Sequence, residues 1–151
     1  MKKQFQRFTM CLLSTLLMAV SGGCAYVKGF FEVTEDKAVT LHVYSQTDTS
    51  VVLYVENAEA NSVLLDAMYT LQEEGKISFQ MQNGMLTELN GKKNTADWSQ
   101  VWMLYTSDVA FSNTAWGSYP LEDMTLGSAI VGAESLPIKA GEYYVWSYQT
   151  F

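Results

Sequence analysis

Beyond residue 38 the apolar residues of this chain recur mostly with period two, and one stretch alone carries clear helical spacing. Val63, Leu64, Ala67, Met68 and Leu71 fall at i, i+1, i+4, i+5 and i+8, which gathers them on one face of a helix over about residues 62–74. Asn61 or Ser62 is expected to cap its first amides, and Gly75 to supply the left-handed stop. Such a helix spans about 20 Å, long enough to cross one face of a sheet. A chain with one helix must build the rest of its core from strands.

Those strands are legible as alternation. Val39, Leu41 and Val43 alternate with Thr40, His42 and Tyr44, and the polar stretch Ser45 to Ser50 turns the chain into Val51–Val55, predicting a hairpin. After the helix, Ile77, Phe79 and Met81 alternate, Asn83-Gly84 is a strong type I′ turn signal, and Met85 to Leu89 continues the pattern. Asn90-Gly91 is expected to open a polar loop running to Asp97. Val101 to Tyr105 is apolar on both faces, as a central strand is. Residues 110–136 read as a long Ser/Gly-rich region containing Trp116, Tyr119 and Pro120, and Tyr143 to Tyr148 as a final strand. A hairpin, one helix, then more strands predicts an α+β fold: a mostly antiparallel sheet with a single packed helix, in β-grasp order.

The N-terminus has a different character. Lys2, Lys3 and Arg7 precede Phe8–Val20, an uncharged run of 13 residues, and Ser21-Gly22-Gly23 offers small residues for cleavage, so residues 1–23 read as a secretory signal peptide. The run is shorter than the ~20 residues of a spanning helix. Cys24 after Gly22-Gly23 resembles the bacterial lipoprotein box, in which the cysteine is lipidated and becomes the new N-terminus; Ser21 departs from the usual Leu. The preferred reading is a membrane-anchored extracytoplasmic lipoprotein, stably held once two acyl chains are present. The other reading is ordinary secretion after cleavage near Gly23 or Ala25, with Cys24 left as a free thiol. Residues 24–37 form a lead-in, and residues 38–151 the domain.

Charge divides the same way. The whole chain carries net −7, but the leader holds three of the nine basic residues and none of the acidic ones, so the chain beyond it has six Lys against 16 Asp plus Glu. Nucleic acid is thereby excluded as an expected partner, because phosphate contacts need clustered Lys and Arg. With two cysteines, one of them (Cys11) inside the leader, neither a disulfide framework nor a Cys-rich zinc site is available.

Four short motifs in order carry a family resemblance: Leu64-Leu65-Asp66-Ala67-Met68 opening the helix, Leu89-Asn90-Gly91, the strand Trp102-Met103-Leu104-Tyr105, and Gly141-Glu142 before Trp146 and Tyr148. Together they resemble the transcobalamin-like C-terminal domain family over about residues 38–151. The chain departs from the family pattern at Ser107-Asp108, where the family has Asn-Gly, and at Glu142, where it has Asp; Ala110 to Asp123 looks like an insertion. The resemblance implies a small β-grasp-like ligand-binding domain. In the vertebrate cobalamin carriers such a domain closes over one side of a corrinoid while a helical barrel holds the other. A corrinoid ligand, and a helical-barrel or transporter partner to complete its site, are therefore implied by resemblance alone.

Catalysis finds little support. His42 is the one histidine and sits mid-strand, expected on the solvent face opposite Val39, Leu41 and Val43. There is no G-x-S-x-G elbow, P-loop or dinucleotide glycine pattern, and Glu73-Glu74 and Glu122-Asp123 lack calcium-loop spacing, so no enzyme, cofactor or metal site is expected. The aromatic residues are the binding candidates. Trp102, Trp146 and Tyr148 are expected to pack against the helix. Trp116 and Tyr119, in a loop that demands no large ring, are candidate contact residues or a lid folded onto the core, and Trp98 is a further candidate at the edge of its strand. The resulting expectation is a binding module that presents the 90–98 and 110–123 segments to a small molecule; the alternative is a structural or adhesive surface module using them for protein contact. Cells expressing the full chain and fed an alkynyl palmitate should label it, and Cys24→Ala should abolish the label; undiminished labelling would contradict the anchor.

Overall fold

The structure, a computed structural model, describes residues 38–151; the leader over 1–23, Cys24 and the lead-in over 24–37 lie outside the described residues. Strands β1 (Thr40–Gln46) and β2 (Ser50–Asn57) form the expected hairpin. Helix α1 (Leu64–Glu73) comes next. Then come β3 (Phe79–Gln82), β4 (Met85–Leu89), β5 (Lys92–Lys93), β6 (Gln100–Thr106), β7 (Ser112–Leu121), β8 (Met124–Ala129) and β9 (Tyr143–Thr150). They assemble into two sheets rather than one, a six-stranded sheet of order β1-β2-β9-β6-β8-β7 and a small sheet β3-β4-β5, with every pairing antiparallel. The fold is α+β, with one short helix. No helix among the described residues is long and apolar enough to cross a membrane.

The helix begins without the expected side-chain cap. Val63 occupies the capping position and makes no side-chain bond. Asn61 instead bends the chain through a left-handed conformation (φ 68°). The orphan amides of the first turn are met by a distant loop: Leu64 N–H donates to Leu136 O at 2.9 Å and Leu65 N–H to Ala133 O at 3.0 Å. At the other end Gly75 adopts φ 72°, the stop its position predicts. Leu64, Ala67, Met68 and Leu71 are buried against Leu53, Val55, Tyr144 and Trp146 on one face of the large sheet, and the Trp146 indole N–H reaches the Met68 sulfur at 3.3 Å.

Two further departures concern the loops. Asn90-Gly91 does not open a loop; with φ of 49° and 82° it is a second tight hairpin turn, like Asn83-Gly84 (52° and 77°), and it leads straight into β5. Residues 112–129, read as irregular, form the β7–β8 hairpin. β8 pairs with β6 only at Tyr105↔Ser128 and Thr106↔Gly127, after which the hairpin leaves the sheet. Leu121 and Leu126 bury themselves with Val52, Tyr105 and Val145, and Glu122 at the hairpin tip accepts a 2.5 Å bond from the Tyr44 hydroxyl on β1, at the far end of the strand order. The hairpin is an arm across the second sheet face. That is why Val51 to Val55 and Trp102 to Tyr105 are apolar on both sides: helix and small sheet cover one face, the arm the other.

A polar cluster closes the β9 end. Ser107 Oγ accepts from Tyr143 N–H at 2.8 Å and donates to the Glu142 carboxylate. The Asp108 side chain, 4% exposed, accepts from Ala110 N–H at 3.0 Å, and its other oxygen lies 2.8 Å from Lys139 Nζ, an ion-pair contact without hydrogen-bond alignment. Tyr144, wholly buried, donates to Pro137 O and accepts from Lys139 N–H; burial pushes its phenol up to about 12.

Candidate functional site

The chain from β5 to β6 is an irregular segment held by a dense set of hydrogen bonds. Asn94 N–H donates to Thr87 O at 2.9 Å, its side-chain amide donates to Leu86 O at 2.8 Å, and its side-chain oxygen accepts from Trp102 N–H at 2.9 Å. One residue thus bonds β4 of the small sheet and β6 of the large one. Two aromatic side chains complete the junction: the Trp102 indole N–H donates to Lys92 O at 2.9 Å and the Tyr148 hydroxyl to Lys93 O at 2.6 Å. Their rings meet edge to face with centroids 5.2 Å apart, and Lys92 Nζ sits 4.5 Å above the Tyr148 ring.

From that anchor the chain makes a tight turn over Thr95–Gln100. Thr95 N–H donates to Gln100 O, Trp98 N–H to Thr95 O, and Gln100 N–H to Thr95 Oγ1. Asp97 accepts from both the amide (3.1 Å) and the hydroxyl (2.8 Å) of Ser99. The Ser99 and Thr95 hydroxyls hold the Asp97 carboxyl down at about 2. Within the turn Trp98 has φ 60°, a conformation that costs a bulky residue on the order of 1–3 kcal/mol, and the residue is 52% exposed. The strain is opposed by this set of bonds, so the ring is presented rather than tucked away.

Clefts lie on both sides of this junction. The larger, about 540 Å³, is walled by Gln46, Thr47 and Asp48 of the β1–β2 turn and by Asn90, Gly91 and Lys92, with Trp102 and Leu89 also lining it. The Thr47 hydroxyl accepts from the Thr49 and Ser50 amides and bonds the Ser50 hydroxyl, which fixes the first wall. The second cleft, about 280 Å³, runs over Gln80, Gln82, Thr87, Glu88 and Lys93 to Trp98. Each cleft carries one acidic and one basic side chain among its lining residues, and in the second these are Glu88 and Lys93, 3.7 Å apart.

The three candidate aromatics are not brought together. Trp98 precedes the start of β6, whereas Gly117, next to Trp116, lies against the Tyr105 ring near its end. Trp116 is 65% exposed in an irregularity of β7 between Asn113 and Ser118, not in a loop. Tyr119 faces inward as part of the covering arm, its ring 5.8 Å from that of Tyr105, so it serves packing. His42 is exposed and bonded to Glu56 at 2.7 Å, with no hydroxyl joined to the pair among the described residues. No group of three or more His, Cys, Asp or Glu that could hold a metal ion occurs among the described residues. Asn94 was concealed by the expectation of a polar loop; Gln80 and Gln82, alternating with Phe79 and Met81, carried a readable signal. No family model, curated protein or solved structure matches the chain.

Asp97 makes the turn pH-dependent in a stated direction. Its depressed carboxyl favours the turn fully above the ordinary carboxylate range near pH ~4, and that contribution is lost as pH falls through about 2. In ¹⁹F NMR of the fluorotryptophan-labelled domain, the Trp98 resonance (assigned with Trp98→Phe) should shift over that window. Asp97→Asn should displace it already at neutral pH; an unmoved resonance in that variant would contradict the clamp.

Proposed function

We propose that the chain is an extracytoplasmic, lipid-anchored binding module of β-grasp type, tethered through Cys24, that takes a small ligand without catalysis. The ligand class is a corrinoid, held jointly with a separate partner such as a helical-barrel protein or transporter component. The observation that supports this best is the larger cleft: about 540 Å³, bounded by two ordered turns on different sheets and lined by both apolar and polar side chains, Leu89 and Trp102 beside Gln46, Thr47, Asp48, Asn90 and Lys92. A corrinoid carries amide side chains around a flat macrocycle, which match Gln46, Asn90 and the backbone of Gly91. The cleft is open and smaller than such a ligand, which is the reason for assigning the remaining contact to a partner.

A second reading is favoured by Trp116, exposed on an edge strand: an adhesive surface module making protein contacts. One titration separates the two. Hydroxocobalamin added to the mature chain, with and without a helical-barrel partner, should quench tryptophan fluorescence saturably, and Gln46→Ala should weaken binding roughly fivefold, the worth of one hydrogen bond. No saturable quenching at high micromolar ligand in either arrangement would overturn the corrinoid reading.

A further inference from the structure

The outer face of the small sheet is the second place where the molecule presents a built surface to solvent. Phe79 turns into the core and Met81 packs against it, so Gln80 and Gln82 of β3 face outward. Gln80 pairs with Glu88 of β4, and Glu88 with Lys93 of β5, which lays a polar row across the three strands. Thr87 sits beside the row, and Trp98 closes it at the β5 side within the same 280 Å³ cleft.

Three properties narrow what such a surface takes. Its charges cancel, since Glu88 and Lys93 lie 3.7 Å apart, while the chain as a whole is strongly acidic; an anionic ligand is disfavoured and a neutral one is not. The Gln80 and Gln82 side-chain amides bond nothing among the described residues, although each offers two donors and an acceptor. At the end of the row stands Trp98, about half exposed, its backbone held in a turn of positive φ by Asp97, Ser99 and Thr95. The ligand class that combines neutrality, a belt of hydroxyls and an apolar C–H face is a pyranose sugar. Polarised ring C–H groups settle on the electron-rich indole face, and the hydroxyls turn to the amides.

We propose that the outer face of the small sheet is a carbohydrate-binding platform, with Trp98 stacking on one pyranose and Gln80 and Gln82 hydrogen-bonding the next. None of its lining residues is shared with the larger cleft, so it stands or falls independently of the corrinoid reading.

The mature chain and its variants are titrated with cellotriose and with triacetylchitotriose by isothermal titration calorimetry, and the Trp98 ¹⁹F resonance is followed in the unsubstituted chain. At least one should bind saturably and shift that resonance. Trp98→Ala should weaken binding about tenfold or more, the loss of a central aromatic contact. The exposed pair Gln80→Ala with Gln82→Ala should weaken it roughly fivefold or more, and Gln46→Ala, in the other cleft, should leave it unchanged. Binding of one sugar alone identifies the preferred ring substituent and supports the platform. Failure of both to move Trp98 at millimolar concentration, or binding that survives both sets of substitutions, overturns it, whatever hydroxocobalamin does.

Discussion

Asn94 uses both its side-chain oxygen and its side-chain amide to join two sheets whose other hydrogen bonds to each other run from the Trp102 indole and the Tyr148 hydroxyl to the β5 carbonyls. Its amide holds Leu86 of the small sheet, its oxygen holds the Trp102 amide of the large one, and its own backbone N–H pairs with Thr87. Such bonds are worth about 1 kcal/mol each when made, but a buried donor or acceptor left without its partner costs about 1–3 kcal/mol. The two-residue strand β5 is too short to register itself; Asn94, with Trp102 and Tyr148 bonding the two β5 carbonyls, does it instead. Both clefts inherit their walls from that junction, because one begins at Asn90–Lys92 and the other at Lys93–Trp98.

The large sheet solves a different problem. Its central strands are apolar on both faces and need two covers. The helix and small sheet supply one. The other is the β7–β8 arm, fastened at its tip by Tyr44 and Glu122, whose hydrogen bond raises the Tyr44 phenol. At the far end, the Ser107 hydroxyl donates to the Glu142 carboxylate.

What the residues disclosed was what local rules govern. Period-two alternation located β1, β3 and β4, continuous apolar or aromatic runs located β2, β6 and β9, the two Asn-Gly pairs have the positive φ their composition favours, and Gly75 ends the helix. The failures have non-local causes. Asn61 and Ser62 looked like caps, but Leu136 and Ala133, far along the chain, take the amides. β7 escaped notice because the Thr114–Gly117 irregularity breaks its register and its polar residues hide the alternation. Trp98 was visible as a candidate; that a left-handed turn presents it, and that two outward glutamines share its cleft, needed three dimensions.

The central claim is that Asn94 fixes the small sheet on the large one. Hydrogen exchange on Asn94→Ala measures it residue by residue. Loss of protection should concentrate at Trp102 and across β4 and β5, with global stability falling by about 1–3 kcal/mol and β2 and β9 amides keeping their order of protection. Unchanged exchange at Trp102 and Leu89, or a uniform loss over both sheets, would contradict it.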